Sequence, residues 1–561
     1  MFNEYLKEIF GFHPGHPLIF TEFYFWVFFA FVMCIFSMLH QRRVARSTFL
    51  FAVSIFFYWK TSGMFFLLLI FATLLDYFIG ISLEKTEKQW KRKALVGSSI
   101  FINLANLIYF KYAFFFTDAY NKVFHTDYKV FNFLAHWSNE SFHTGFDVWD
   151  ILLPVGVSFF TFQSISYSVE VYRKEIRAVR NILDFGFYVS YFPQLVAGPI
   201  VKANEFVPQI YEKYKLTRYE FGLAIFWILN GLIKKLVIGD YLAVNFIDRV
   251  FDYPENYTGF GVLWALLFYS VQVYADFSGY TDIAIGVSLL MGFRLPMNFN
   301  SPYKAKNVAE FWRRWHMSLS NWLKDYLYIP LGGNKKGTFG TFFWSFIIIG
   351  FVILISDDPG LFAIIAGSVA LVLGILAWIF LPVRKAIITN INLMITMVLG
   401  GLWHGASWNF VIWGALNGAA LVVYKFWRKV SPYEQSTSWI VNTWKITITF
   451  LFISFTRLFF RAGDRKNTGN GMETVDRMWK QLTGNWDGNA IVKILGNHWE
   501  VFIVFTVAMV IHLLPVKVKE WYRNVFIQTP VYGQVAIVVI AVFLIFQSIS
   551  SELQTFIYFQ F

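Results

Sequence analysis

Apolar stretches close to the roughly 20 residues that carry a helix across a hydrocarbon layer recur from one end of the chain to the other. They run over 18–39, 46–60, 63–83, 94–116, 150–172, 183–200, 219–247, 259–293, 338–355, 360–382, 388–402, 406–427, 439–460, 499–515 and 533–553. Short polar connections separate them, and the pattern predicts an all-α polytopic membrane bundle forming one domain, 1–561. The stretches 183–200 and 388–402 are short or broken by Gly and Pro, which predicts re-entrant or tilted pieces among the crossings. Such backbone is tolerated at membrane depth only where protein or water surrounds it. In residues 1–17, Phe2, Tyr5, Leu6, Ile9 and Phe10 recur at helical spacing, as in an interfacial helix, although a frayed terminus fits equally well. No basic n-region precedes an uninterrupted apolar core there, so a cleaved signal peptide is not expected. The polar stretch 461–498, with NTGNG and GNWDGN, predicts a surface loop too short to bury a core of its own.

Composition strengthens the membrane reading. Of 561 residues, 57% are hydrophobic and only 15% charged, against about 25% charged in soluble domains. The net charge of +13 does not point to nucleic acid, because Lys and Arg fall in short clusters between apolar stretches. With the N-terminus outside, Arg42, Arg43 and Arg46, the run Lys85 to Lys93, and Arg173 to Arg180 all fall on the cytoplasmic side, and the 117–149 connection on the other. Lys202, Lys213, Lys215 and Arg218 conflict with this count unless 183–200 is re-entrant. The lone Cys34 excludes an intramolecular disulfide, a zinc-thiolate site and a CxxC pair.

In a bilayer the informative residues are the ionisable ones, since a charge near the helix centre costs about 2.5–3.5 kcal/mol on the insertion scale. In 301–337, Val308, Phe311, Trp312, Trp315, Leu319, Trp322, Leu323 and Tyr326 form an apolar stripe at helical spacing, with Arg313, His316, Ser320 and Lys324 along a polar one. An interfacial or cavity-lining helix results. Lipid headgroups account for Arg314 and Lys324 but poorly for His316, because neutral imidazole adds little to phosphate binding. His404 lies deep in MVLGGLWHGASWNF among small residues, either as a hydrogen-bonded core histidine or as a general base whose pKa suits neutral pH. Glu170, Asp276 and Asp282 are buried by position. Proton carriage is one reading, and pairing with Arg294, Arg313 or Arg457 to hold the bundle is preferred. No Ser-His-Asp spacing is evident, and Ser318 and Ser320 leave a covalent route open.

The stretches FPQLVAGPI, YADFSGYTDIAIG, FNSPY followed by FWRRWHMSLSNWLKDYLYIPLGGN, GGLWHGASWNF and the terminal FIYFQF resemble the bacterial, alginate O-acetyltransferase-like branch of the membrane-bound O-acyltransferase family. The resemblance covers nearly the whole chain from about residue 46. It implies a bundle with a funnel on each face joined in a central tunnel near two histidines, which match His316 and His404. It also implies transfer of an acyl group, with acetyl favoured, from a cytoplasmic thioester such as acetyl-CoA to a polysaccharide acceptor outside the bacterial inner membrane. A periplasmic acetyltransferase or other export-complex protein is the expected partner besides the lipid bilayer. No permanently bound cofactor and no metal are expected. Arg313, Arg314 and Lys324 are candidates to hold the donor's phosphates at the cytoplasmic mouth, and Ser320, Trp403, Asn409, Asp276 and Gln194 are candidate tunnel-lining positions. D-alanyl or fatty-acyl transfer on the same fold, a transporter using Asp276 and Asp282, and an export scaffold are the alternatives. The chain departs from the pattern at 338–383, which reads as two inserted spans.

Overall fold

The computed structural model describes residues 11, 17–356, 358–463, 471–548 and 556–557, so the 1–17 interfacial helix falls largely outside the described residues. Helices and connections make up everything described, with no strand. Among the described residues, eight helices are long and apolar enough to cross a bilayer, or ten if two bent pairs, Gly488–Asn497 with Trp499–Leu513 and Val516–Gln528 with Val531–Gln547, each count as one span. The 32-residue helix Gly259–Leu290 is the most deeply enclosed of the eight, with 67% of its apolar window buried. The 338–383 segment forms two apolar helices, Phe339–Ile355 and Pro359–Ile379. The second has no buried residue, as a helix at the lipid-facing rim of a bundle would.

The 183–200 stretch is a buried, interrupted excursion rather than a crossing. Ile182–Ser190 is nine residues long, about 14 Å at 1.5 Å per residue. Tyr191 breaks it before the one-turn piece Phe192–Leu195, and every residue from Asp184 to Val201 is buried. The chain then returns to the face it left. Lys202 pairs with Asp325 at 2.5 Å, and Arg173 donates to the Asp325 carbonyl. On that same face Arg43 pairs with Asp184 and Arg46 donates to the carbonyls of Ile210 and Glu212. One re-entrant segment thus puts the early basic clusters and Lys202 together, as the charge pattern requires.

Three expectations are corrected. The 388–402 stretch is not interrupted: Leu381–His404 is one 24-residue helix. Its N-terminal turns carry Arg384 and Lys385, which disguise the full length of the span. The expected 461–498 loop is helical over Gly471–Gly484 and Gly488–Asn497, and Thr474, Val475 and Met478 are buried along one side of the first. Flanking Gly and Asn masked this amphipathic spacing. The buried carboxylates pair with lysines and a tyrosine rather than with arginines. Asp276 and Asp240 lie 2.5 and 2.7 Å from the Lys235 ammonium, Asp282 lies 2.6 Å from that of Lys234, and Glu170 accepts from the Tyr326 hydroxyl. The lysines sit on the helix next to these aspartates, and the arginines are elsewhere. Asp276 also accepts the backbone N–H of Ile557, which ties the described end of the chain to the core.

Leu381–His404 and Trp408–Val430 form a hairpin that presents His404 at its turn. They approach so closely that a Cβ on Gly414 would sit 2.4 Å from the Met397 carbonyl oxygen, and one on Gly401 would sit 2.4 Å from that of Phe410. Backbone cannot yield as a side-chain tip can. Gly414→Ala is therefore expected to cost about 1–3 kcal/mol, the usual range for overpacking, read as a lower thermal-inactivation midpoint of the detergent-solubilised protein.

Candidate active site

The helical stripe expected over 301–337 is broken at its centre. Val308–Trp312 ends before His316, and Met317–Leu323 begins after it. His316 itself has φ 44° and ψ 54°, the left-handed region that a non-glycine residue seldom occupies. Such a conformation persists only where surroundings enforce it. Here they do: Met317 N–H donates to the Asn298 carbonyl and Asn300 N–H to the Arg314 carbonyl, clamping the kink against segment 298–300. The consequence is a different partition of side chains from the one a continuous helix gives. His316 turns inward with no exposed surface, while Arg313 and Lys324 face out.

Asn298 holds the imidazole. Its side-chain oxygen accepts from Ser318 N–H at 3.1 Å and Ser318 Oγ at 2.7 Å, and lies 3.3 Å from His316 Nδ1. A backbone N–H can only donate, so the atom it meets is the amide oxygen, and the His316 tautomer that fits carries its hydrogen on Nδ1. Burial holds this ring, which lies in a connection outside the apolar spans, far below its ordinary pKa, at about 3. It is neutral at working pH. Removing the oxygen in Asn298→Ala would leave buried donors on His316 and Ser318 without an acceptor. An uncompensated donor of this kind costs about 1–3 kcal/mol, so turnover is expected to fall by about tenfold, measured as initial rate on purified protein of unchanged monodispersity.

His404 reaches the same place from the opposite side. Its ring centroid lies 6.5 Å from that of His316, at 63°. Trp403, Trp413 and Phe460 surround it at 4.9, 5.1 and 5.3 Å, and Phe277 and Trp403 flank His316 at 4.6 and 6.0 Å. Trp403 in turn stacks on Phe162, which stacks on Trp322 at 3.7 Å. The two imidazoles therefore meet in a sleeve of aromatic rings. A cavity of about 20 Å³ touches His404, lined by Lys111, Pro154, Gly156, Ser158 and Trp403 among others. A larger one of about 500 Å³ shares Lys111 and extends past Asp118, Lys122, Ser407, Trp408 and Asn409. It adjoins the 117–149 connection, the side opposite the basic clusters.

The remaining candidates are placed as follows. Trp403 is part of the sleeve. Asn409 is buried in the wall of the larger cavity, and neither heteroatom of its amide has a hydrogen-bond partner. Gln194 is buried in the re-entrant segment and donates to the Tyr188 carbonyl. Asp276 is held by Lys235, as described. Ser320 donates to the Trp312 carbonyl, and Arg314 is paired with Glu310 at 2.7 Å. Burial works against the Glu310 charge, but the Lys306 N–H and the Arg314 guanidinium outweigh it and hold that carboxyl below its usual value. No group of three or more His, Cys, Asp or Glu side chains able to hold a metal occurs among the described residues. Sequence reasoning missed Asn298, although it stands in the MNFNSPY stretch, and Lys111, a cation inside the apolar run IYFKYAFFF.

A sequence profile described as MBOAT, membrane-bound O-acyltransferase family, matches residues 94–352. A peptidoglycan O-acetyltransferase of Helicobacter pylori is 31% identical over 451 residues, covering 76% of this chain and 72% of that protein. The chain belongs to the membrane-bound O-acyltransferase family. Two further relatives bracket this family member. A probable alginate O-acetylase of Pseudomonas putida is 36% identical over 395 residues, 70% of this chain and 66% of the relative. A teichoic acid D-alanyltransferase of Bacillus subtilis is 27% identical over 334 residues, 58% of this chain and 72% of the relative. This acyltransferase-family chain thus spans about two thirds of the length of the alginate relative. The matched profile includes His316 and stops before His404.

Proposed function

We propose that this chain is an O-acetyltransferase of the bacterial inner membrane. It moves an acetyl group from a cytoplasmic thioester, acetyl-CoA in the simplest case, to a hydroxyl of an exported polysaccharide, directly or through a periplasmic transferase partner. The observation that carries the reading is the meeting of His316 and His404 at 6.5 Å inside one aromatic sleeve. The names of the alginate and peptidoglycan relatives favour acetyl and a cell-surface glycan.

The chemistry follows from the two environments. The acceptor hydroxyl enters past the larger cavity, and His404 takes its proton as the oxygen bonds to the thioester carbon. The carbon–sulfur bond breaks, and the leaving thiolate takes the proton back from the imidazolium. Positioned proton transfer of this kind is worth about 10²–10⁴-fold. A His316 ring with its hydrogen on Nδ1, committed to Asn298, presents a lone pair at Nε2. That ring orients an N–H or O–H of the reactants and does not polarise the thioester carbonyl. Exclusion of water from the sleeve protects the thioester from hydrolysis.

Sealed vesicles test the proposal. Labelled acetyl thioester is supplied on the cytoplasmic side and a hydroxyl-bearing glycan on the other. The expected result is base-labile label on the glycan or on a periplasmic partner protein. No ester on either, or label moved across without esterification, would contradict it. The Bacillus relative favours D-alanyl as the second donor to supply, and preferential use of a D-alanyl thioester would replace acetyl in this reading.

A further inference from the structure

Lys111 occupies a position that the two-histidine account does not use. It lies in a five-residue π-helical turn, Ile108–Tyr112, between the helices Gln89–Leu107 and Ala113–Phe124. Single π-turns of this kind are rare and cluster at functional sites, because the widened turn re-aims the side chains that it carries. Two consecutive side chains, Lys111 and Tyr112, are here directed at the same target. The Lys111 ammonium donates to the carbonyl of Trp403 at 2.6 Å and to that of His404 at 3.2 Å, and lies 3.5 Å from Ser158 Oγ. The Tyr112 hydroxyl donates to the carbonyl of Leu402 at 2.8 Å. These are the last carbonyls of the Leu381–His404 helix, at the negative end of its dipole, and that of Leu402 also accepts the Gly405 N–H.

A neutral cap would satisfy those carbonyls. A cation is an expensive choice at a site where Lys111 is only 5% exposed, and the Trp403 and His404 carbonyls and the Ser158 hydroxyl all lie around its ammonium. The same side chain lines both the small cavity against His404 and the larger one beyond it, with Trp403 under its charge at 5.8 Å. We infer that Lys111 is a positioning residue of the transfer reaction: its ammonium pins the carbonyls of Trp403 and His404 so that the His404 ring faces His316 and the mouth of the outer cavity. This inference rests on the acyl-transfer reading. His404 is the last residue of that helix, so pinning its own carbonyl and that of Trp403 bears directly on how its ring is set.

The test compares Lys111→Met and Lys111→Gln with Tyr112→Phe, each purified and checked for monodispersity. Tyr112→Phe removes a neutral cap from the same helix end and controls for structure alone. The expected result is a kcat at least tenfold lower in Lys111→Met, with KM for the thioester within twofold of the parent. Tyr112→Phe is expected to lower thermal stability with kcat within twofold. Lys111→Gln, which keeps donors without charge, stands in where the methionine variant does not fold and is held to the same kcat and KM limits. An unchanged kcat in a folded Lys111 variant, a loss confined to KM, or an equal loss in Tyr112→Phe would overturn the inference. A His404→Ala arm separates the two claims. If His404→Ala is active, the acyl-transfer reading fails, and if it is inactive while Lys111→Met is fully active, only the role of Lys111 fails.

Discussion

Replacing His404 by alanine is expected to lower acyl transfer by about 10²–10⁴-fold while leaving the protein folded in the membrane. The size follows from the proposed role, in which the hydroxyl loses its proton as it attacks and His404 is the base placed to take it. Its ring packs against Trp403, Trp413 and Phe460, and the contact of Trp413 with Phe460 at 5.1 Å does not depend on it. Loss of stability is therefore expected to be modest, and loss of rate large. Ester content of the exported glycan, with membrane abundance measured in parallel, separates the two. His316→Ala is expected to lower transfer by a smaller factor and to cost more stability, since it also dissolves the clamp on Asn298.

The second large effect is structural. Lys235→Met leaves the buried carboxylate of Asp276 and the partly buried one of Asp240, 2.5 and 2.7 Å from the ammonium, without their cation. Breaking a buried ion pair by removing one partner costs about 3–5 kcal/mol. Asp276 also holds the Ile557 backbone, so the described end of the chain is expected to detach as well. The measurement is the monodisperse fraction after detergent extraction, expected to collapse in Lys235→Met. It should recover in part when Asp240→Asn and Asp276→Asn are added, because neutral amides tolerate burial that lone carboxylates do not. Recovery to parental levels by the triple variant would match the view that buried ion pairs add little net stability.

Much of the bundle was legible because lipid imposes one rule on every crossing helix, and apolar length reports it directly. The re-entrant excursion was legible too, from a conflict between Lys202 and the count of crossings. The errors arose where that rule does not apply. Helix Gly471–Gly484 lies outside the apolar spans, and its turn-forming Gly and Asn neighbours concealed the spacing of Val475, Met478 and Leu482. At 301–337 the helical period continued across a break that no local residue announces. The left-handed turn at His316 is enforced by Asn298, brought in from the preceding segment, and periodicity carries no information about such a partner. The choice of ion-pair partners failed for a similar reason: Lys234 and Lys235 lie 48 and 41 residues from Asp282 and Asp276, on a neighbouring helix whose face the sequence does not specify.

The site itself was half visible. Two histidines in polar-poor surroundings stood out by chemistry alone, and the family resemblance paired them. Their supports did not stand out, since an asparagine and a lysine are common residues. Lys111 nevertheless carried a usable signal, because an ammonium within IYFKYAFFF violates the cost of placing charge in a span. Searching every apolar run for such violations would have found it.

The coupling of the two imidazoles is the point on which the mechanism stands. A double-mutant cycle on single-turnover ester formation, with His316→Ala, His404→Ala and the double variant, measures it directly. Residues that act as a unit lose no more together than the worse of them loses alone, so the double variant should match His404→Ala. Losses that multiply, or a double variant that still esterifies at the parental rate, would contradict a shared site.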